Sequence, residues 1–251
     1  LDGSAKVAEY IGACRDMGID VLPPDLNEST AYFTVVPEGI RFGLAAVKNI
    51  GRGFIQKVTA EREFSGPYRS LEDFCSRMYG TELNKRAVEN LIKCGACDCF
   101  GLRRSQLLFV YEAVMDSVAD SRRRNVEGQM GLFDLGGGDT AQSVDPVSVP
   151  DLPELTPQDK MAMEKEVTGL YLSGHPMDDY RSALRQASVV AIGEILDCFE
   201  NGGTEFSDDQ SVTVAGIVQQ MKMKTTRNNS MMAYVTLEDD TGTMELLVFS
   251  S

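Results

Sequence analysis

The sequence predicts a multidomain chain, mainly α, that ends in the first strands of a small β-barrel. Three observations carry this. Apolar residues recur at helical spacing in successive blocks up to Val118. Between residues 119 and 156 the composition turns to Gly136-Gly137-Gly138, Pro146, Pro150 and Pro153 with scattered Asp and Ser, the signature of a flexible linker. From Ser211 the apolar period shortens to two, as in a half-buried sheet. The 251 residues, 43% hydrophobic and 25% charged, suffice for one large domain or two to three small ones.

The elements follow in order. Ser4 can cap a helix over 4–17, in which Val7, Tyr10, Ile11 and Cys14 share a face and Gly18 is the stop. Val21-Leu22-Pro23-Pro24 must be extended, because proline bars the helical region at the residue before it. Ala31–Val36 alternates as a strand, and Pro37-Glu38-Gly39 turns it back into Ile40-Arg41-Phe42. A helical run starts after Gly43 and breaks at Lys48-Asn49-Ile50-Gly51-Arg52-Gly53. A second helix then carries Ile55 and Val58 on one face. Ser70, three residues before Asp73, caps a helix over 71–78. Asn84 caps the next, with Ala87, Val88, Leu91 and Ile92 apolar, and Cys94-Gly95-Ala96 breaks it. A further helix covers Leu107–Val118 and ends near Arg122-Arg123-Arg124. Thr156-Pro157-Gln158-Asp159 is a helix start with cap, proline and acid in their favoured places. Beyond Ser211, Asp239-Asp240-Thr241-Gly242 turns one strand into the next.

Charge is unevenly spread. The net charge of −14 by itself argues against nucleic acid as a partner. Seventeen acids against four basic residues lie between Glu127 and Asp209, however, whereas Arg41–Glu63 holds five basic residues and two acids. A basic segment therefore precedes an acidic one. The single histidine, His175, excludes His-rich zinc sites and His-Glu-x-x-His proteases within this chain. Six cysteines at irregular spacing, without a signal-peptide pattern, are expected to be reduced thiols in a cytoplasmic protein. No run of 18 apolar residues occurs, so no membrane partner is expected. A start at Leu1 without an initiator Met leads us to expect a piece of something longer.

Two helix–tight-turn–helix units, about forty residues apart, are the first chemical signal. In the first, Lys48-Asn49-Ile50-Gly51-Arg52-Gly53 joins two helices. The backbone N–H groups that open the second helix have no partners within it and point outward at its positive end, which suits phosphate. Lys48, Arg52 and Lys57 add charge. The second unit runs through Lys93, Cys94 and Gly95 and is followed by Arg103-Arg104-Ser105. Such hairpins hold DNA backbone without reading bases; the plain alternative is two helical hairpins of structural use only. Cys94, Cys97 and Cys99 suggest metal, but zinc needs four ligands, the next nearest is Cys75, and no histidine is near; small packing residues are the better reading and no metal site is expected. Gln129-Met130-Gly131-Leu132-Phe133, inside the linker, has the form of a docking peptide, with Leu132 and Phe133 as anchors and Gln129 hydrogen-bonding at the pocket edge. Lys222, Lys224 and Arg227 cluster on the first hairpin of residues 211–249, where small barrels meet single strands.

Longer motifs then carry a resemblance. Lys6-Val7-Ala8-Glu9-Tyr10-Ile11, Gly18 to Asn27 with Pro23-Pro24-Asp25, Ile40 to Leu44, Val47 to Gly51, and Glu166-Val167-Thr168-Gly169 through Gly174-His175-Pro176 are similar to the C-family bacterial replicative DNA polymerases. Val214 to Val218 and Met232 to Asp239 continue the resemblance into the OB domain of that family. It implies five modules: the end of the fingers (1–42), a tandem helix-hairpin-helix duplex-binding module (43–118), a linker with the clamp-binding motif (119–156), connector helices (157–210) and the opening strands of the OB fold (211–251). Within that module the two hairpins make Lys48, Asn49, Ile50, Gly51, Arg52, Gly53, Lys57, Lys93, Gly95, Arg103, Arg104 and Ser105 the expected duplex contacts. Single strands would meet Lys222, Lys224 and Arg227; a sliding clamp would meet Gln129, Leu132 and Phe133, with other replisome subunits as further partners. Cys94 and Cys97 depart from the small or apolar residues usual there, and the chain stops mid-barrel. The family's palm carboxylates, which hold two magnesium ions for nucleotidyl transfer, match nothing here, since no suitable Asp-x-Asp pair occurs. The chain is thus expected to be a part of an enzyme that is inactive alone and binds no cofactor. The alternative reading is a stand-alone, non-catalytic nucleic-acid scaffold built from the same two modules.

Overall fold

The computed structural model describes residues 7, 10–14, 17–126 (side chains through 123), 147–184, 187–225 and 229–249. Contacts group the chain into two units, one of residues 20–173 and one of residues 1–19 with 174–251.

In the unit 20–173, three short strands form a sheet. β1 (Val21–Leu22) pairs parallel to β3 (Gly39–Arg41), and β2 (Thr34–Val36) pairs antiparallel to β3 on its other side. The helical run expected after Gly43 is a single 3-10 turn, Leu44–Ala46. A Cβ on Gly43 would stand 2.5 Å from the Tyr32 carbonyl carbon, so the chain enters the turn pressed against its neighbour, and it leaves through extended Val47.

Four helices follow: α1 (Arg52–Ser65), α2 (Leu71–Arg77), α3 (Lys85–Lys93) and α4 (Arg104–Val126). Ser70 and Asn84 cap α2 and α3 as expected, accepting from the backbone N–H of Asp73 and of Ala87. Each side-chain oxygen satisfies an amide that the helix itself leaves open, worth about 1 kcal/mol. α4 packs against α2 and α3. It runs well past the boundary expected at 119, so the linker assignment for 119–126 is corrected. Val114 and Val118 are buried on the core, and that burial carries the helix onward. Phe54, Ile55, Val58, Phe74, Leu91 and Ile92 are central to this core. α5 (Pro157–Thr168) starts at the Thr156 cap and ends at Gly169 in the left-handed region.

In the other unit, residues 10–14 are helical. After a 3-10 turn (Asp178–Tyr180) come α6 (Arg181–Leu184) and α7 (Ile192–Asn201). Then β4 (Ile217–Thr225), β5 (Met231–Glu238) and β6 (Thr243–Phe249) form an antiparallel meander in the order β4-β5-β6. The strand begins at Ile217 rather than at Ser211; 211–216 have no regular structure. Among the described residues the sheet is not closed, as expected for an incomplete barrel. The register sets Met221, Val235 and Leu246 in one row and Met223, Ala233 and Val248 in the next, giving an apolar face. Lys222, Tyr234 and Leu247, then Lys224, Met232 and Phe249, form the opposite face.

The 239–242 turn does more than reverse the chain. One Asp239 oxygen accepts from Thr241 and Gly242 backbone N–H, and the other accepts from Ile192 N at 2.8 Å, capping α7.

Candidate nucleic-acid interface

The first hairpin is held by backbone and exposed by charge. Asn49 takes a positive φ of 63°, which reverses the chain after Lys48. Ile50 is buried and its side chain anchors the turn in the core. Asn90 Nδ2 donates to the Lys48 carbonyl at 2.7 Å, and Lys48 N donates to the Val167 carbonyl at 2.8 Å. Lys48 Nζ donates to the Glu166 carbonyl at 2.6 Å. The turn leads to Gly51, an extended N-cap that offers no side chain, and no acid stands in the first turn of α1. The positive end of α1 is therefore uncapped by side chains, with Arg52, Gly53 and Lys57 exposed around it. A Cβ at Gly51 or Gly53 would approach nothing nearer than Glu82 oxygens, at 3.9 and 3.7 Å, so these glycines leave open surface rather than serve internal packing. Glu82 is held by Lys57 Nζ at 3.1 Å. The Arg52 guanidinium lies 5.8 Å over the exposed Tyr32 ring.

The second hairpin has the same ingredients in a different state. Gly95 has φ +88°, and a Cβ there would lie 2.4 Å from Arg104 Nη2. Arg104 is 4% exposed. Its Nη2 reaches Asp98 at 2.9 Å and its Nη1 reaches Glu164 at 2.8 Å. Burial works against that charge, but the two carboxylates outweigh it and raise the guanidinium pKa. Glu164 is itself fully buried and also accepts from Leu172 N, Ser173 N and Ser173 Oγ. Lys93 reaches Glu89 at 3.0 Å and Glu166 at 3.1 Å. Arg103 donates to Asp151 Oδ1 and to the Leu152 carbonyl, both at 2.7 Å.

The backbone at the start of α4 is occupied as well. Arg103 N donates to Gln106 Oε1 at 3.1 Å, while Arg104 N and Ser105 N each donate to one oxygen of the Glu154 carboxylate at 3.3 Å. Partial burial of Glu154 opposes its charge, yet Lys160 and the amides of Leu155, Ser105 and Arg104 bring its carboxyl down to about 2. Of the residues expected to touch duplex at this hairpin, Arg104 and Lys93 are thus engaged by the chain's own acids, and Gly95 makes room for Arg104.

The three cysteines of this hairpin are free thiols. Cys94 and Cys97 are fully buried, and burial pushes Cys94 and Cys99 up to about 12. Among the described residues, no group of three or more metal-binding side chains is placed to hold an ion.

Lys222 and Lys224 are exposed on β4, with Lys224 Nζ 4.8 Å over the Tyr234 ring. The nearby aromatics Tyr234 and Phe249 share their face of the sheet, a grouping that strand alternation alone could have suggested. Arg227 and the peptide Gln129, Leu132 and Phe133 lie outside the described residues.

Comparison with known proteins agrees with this geometry. Residues 18–107, which contain both hairpins, match the model of the helix-hairpin-helix motif. DNA polymerase III subunit alpha of Thermus aquaticus is 41% identical over 249 residues, 98% of this chain. The chain belongs to the DNA polymerase III alpha subunit family. The alpha subunit of Deinococcus radiodurans is 36% identical over 98% of the chain, and that of Mycobacterium tuberculosis 36% over 99%. The chain spans about a fifth of these alpha subunits: 19%, 18% and 20% of their respective lengths. No helix described here is long and apolar enough to cross a membrane.

Proposed function

We propose that this chain is the DNA-holding and processivity portion of a cytoplasmic replicative DNA polymerase. The observation that carries the reading is the first hairpin: an uncapped α1 N-terminus ringed by Arg52 and Lys57, inside a match to the helix-hairpin-helix motif. Outward backbone N–H groups and cations bind phosphate oxygens of any sequence, so the grip is on duplex backbone. The polymerase names of the relatives support the replicative setting. The magnesium of nucleotidyl transfer belongs, on this reading, to the catalytic part of the whole polymerase and not to residues described here.

Duplex binding is tested by anisotropy of labelled DNA across a salt series. The full chain should bind unrelated sequences alike, with log affinity falling against log salt by about 0.9 per phosphate contact. Arg52→Glu with Lys57→Glu should weaken every sequence equally. Unchanged binding, or loss confined to one sequence, overturns the reading.

Two finer assignments belong to it. Lys222, Lys224 and Arg227 meet single-stranded template on the OB-type sheet. Gln129, Leu132 and Phe133 dock a sliding clamp, with Leu132 and Phe133 as buried anchors. Other replisome subunits are its further partners. Leu132→Ala with Phe133→Ala should abolish clamp binding in calorimetry while the melting temperature and duplex affinity stay unchanged. Clamp binding at the parent level would make the peptide a coincidence of composition.

A further inference from the structure

The two hairpins differ in a way that symmetry of sequence does not suggest. At α1 the N-cap Gly51 makes no side-chain hydrogen bond, and the Glu82 carboxylate beside Gly51 and Gly53 is turned to Lys57 at 3.1 Å. At α4 the corresponding seat is filled: Glu154 presents one oxygen to Arg104 N and the other to Ser105 N, each at 3.3 Å. A carboxylate bridging two successive amides at a helix start has the charge and the acceptor geometry of a bound phosphate. The cations around that seat are matched in the same way. Arg103 is held by Asp151, Arg104 by Asp98 and Glu164, and Lys93 by Glu166. Asp151, Glu154, Glu164 and Glu166 all come from the acidic stretch of the sequence.

We infer that Glu154 is an internal phosphate mimic that closes the second hairpin, so that duplex DNA is held by the first hairpin while the 151–154 segment occupies the second. This rests on the duplex-binding reading above and adds where on the molecule the grip lies. Lys160 reaches Glu154 at 2.9 Å, and Gln106 Nε2 donates to the Pro150 carbonyl at 2.8 Å, so the segment is fastened on both sides of the seat. A phosphate approaching α4 would have to displace this carboxylate and would meet Asp151 beside it.

The test compares the full chain with its Glu154→Ala and Glu154→Gln variants, using the same labelled duplex and salt series. Glu154→Ala empties the seat; we expect roughly tenfold tighter duplex binding and a salt slope steeper by about one phosphate contact, near 0.9. Glu154→Gln keeps an acceptor for the amides and removes the charge, and should give a smaller gain. Asp120→Asn, about 24 Å further along α4 at 1.5 Å per residue, removes the same charge away from the seat and should give no comparable gain. Hydrogen exchange supplies the second readout: added duplex should leave the Arg104 and Ser105 amides unchanged in the parent and protect them in Glu154→Ala. If Glu154→Ala does not fold, Glu154→Gln and the parent's exchange pattern decide the matter. Variants that melt lower yet bind DNA as the parent does would make Glu154 a structural cap, and duplex protection of those amides in the parent would show the seat open; either overturns the inference. Failure of the parent to bind duplex at all would instead overturn the function proposed above.

Discussion

Arg104 and Glu164 show how much of this unit's stability depends on single charges. The pair is closed from solvent, with the two side chains 5% and 0% exposed, and Glu164 satisfies three further donors. Taking two ions out of water is expensive, and only good geometry with complete hydrogen bonding offsets it. Removing one partner leaves the other charge buried and uncompensated. Glu164→Gln should therefore destabilise the fold by about 3 kcal/mol, with Asp98 still neutralising part of Arg104. Urea unfolding followed by circular dichroism measures this. Glu164→Leu combined with Arg104→Met should cost less than the sum of the two single changes, because the pair acts as one unit. A loss below about 1 kcal/mol for Glu164→Gln would mean water reaches the pair. Its residue types are legible in the sequence, but the pairing is not, because the two residues lie 60 positions apart.

Among the elements, the hairpins are where local rules work and then stop. The helix starts at Ser70, Asn84 and Thr156 were all readable, because a cap is an interaction over three residues. The run after Gly43 read as a helix and is one 3-10 turn, since its packing against Tyr32 is a contact across eleven positions. Gly95 marks the break after α3 in either reading, but its φ of +88° and the guanidinium against it make it indispensable. Gly95→Ala would strain the backbone and push Arg104 off Asp98. We expect a loss of about 2 kcal/mol or more. Gly80→Ala, also at positive φ but with open space around it, should cost less. Thermal melts of the two variants side by side test this ordering.

The charge pattern of the whole molecule changes meaning once the chain folds. Along the sequence, a basic segment precedes an acidic one, and the acids would repel DNA. Within the unit 20–173, acids from 151–166 are laid directly on Lys93, Arg103 and Arg104. Three of the seventeen acids of that stretch are thereby neutralised inside the fold, and Arg52 remains exposed at the first hairpin. On the proposed function, which gives nucleotidyl transfer to another part of the whole polymerase, we expect the isolated chain to incorporate no nucleotide on a primed template with magnesium, under conditions where a whole alpha subunit does. Incorporation abolished by changing a carboxylate within this chain would contradict that expectation.

From its residues the sequence determined the α-then-β order, the helix starts, the two hairpins and the alternating strands of the sheet. These are set by hydrophobic period, caps and turns, all interactions within a few residues. It also determined the family, because motifs spread along the whole chain are matched in the alpha subunits. Tertiary structure alone decided which cations remain exposed. Glu164 and Glu166 reach the Arg104 guanidinium and Lys93 across 60 and 73 positions, Glu154 reaches the Arg104 backbone N–H across 50, and nothing in a linear charge pattern sets those distances. The two hairpins read alike because each is a helix end, a glycine turn and a basic start. They differ because folding delivers a carboxylate to the mouth of α4 and leaves α1 without a cap.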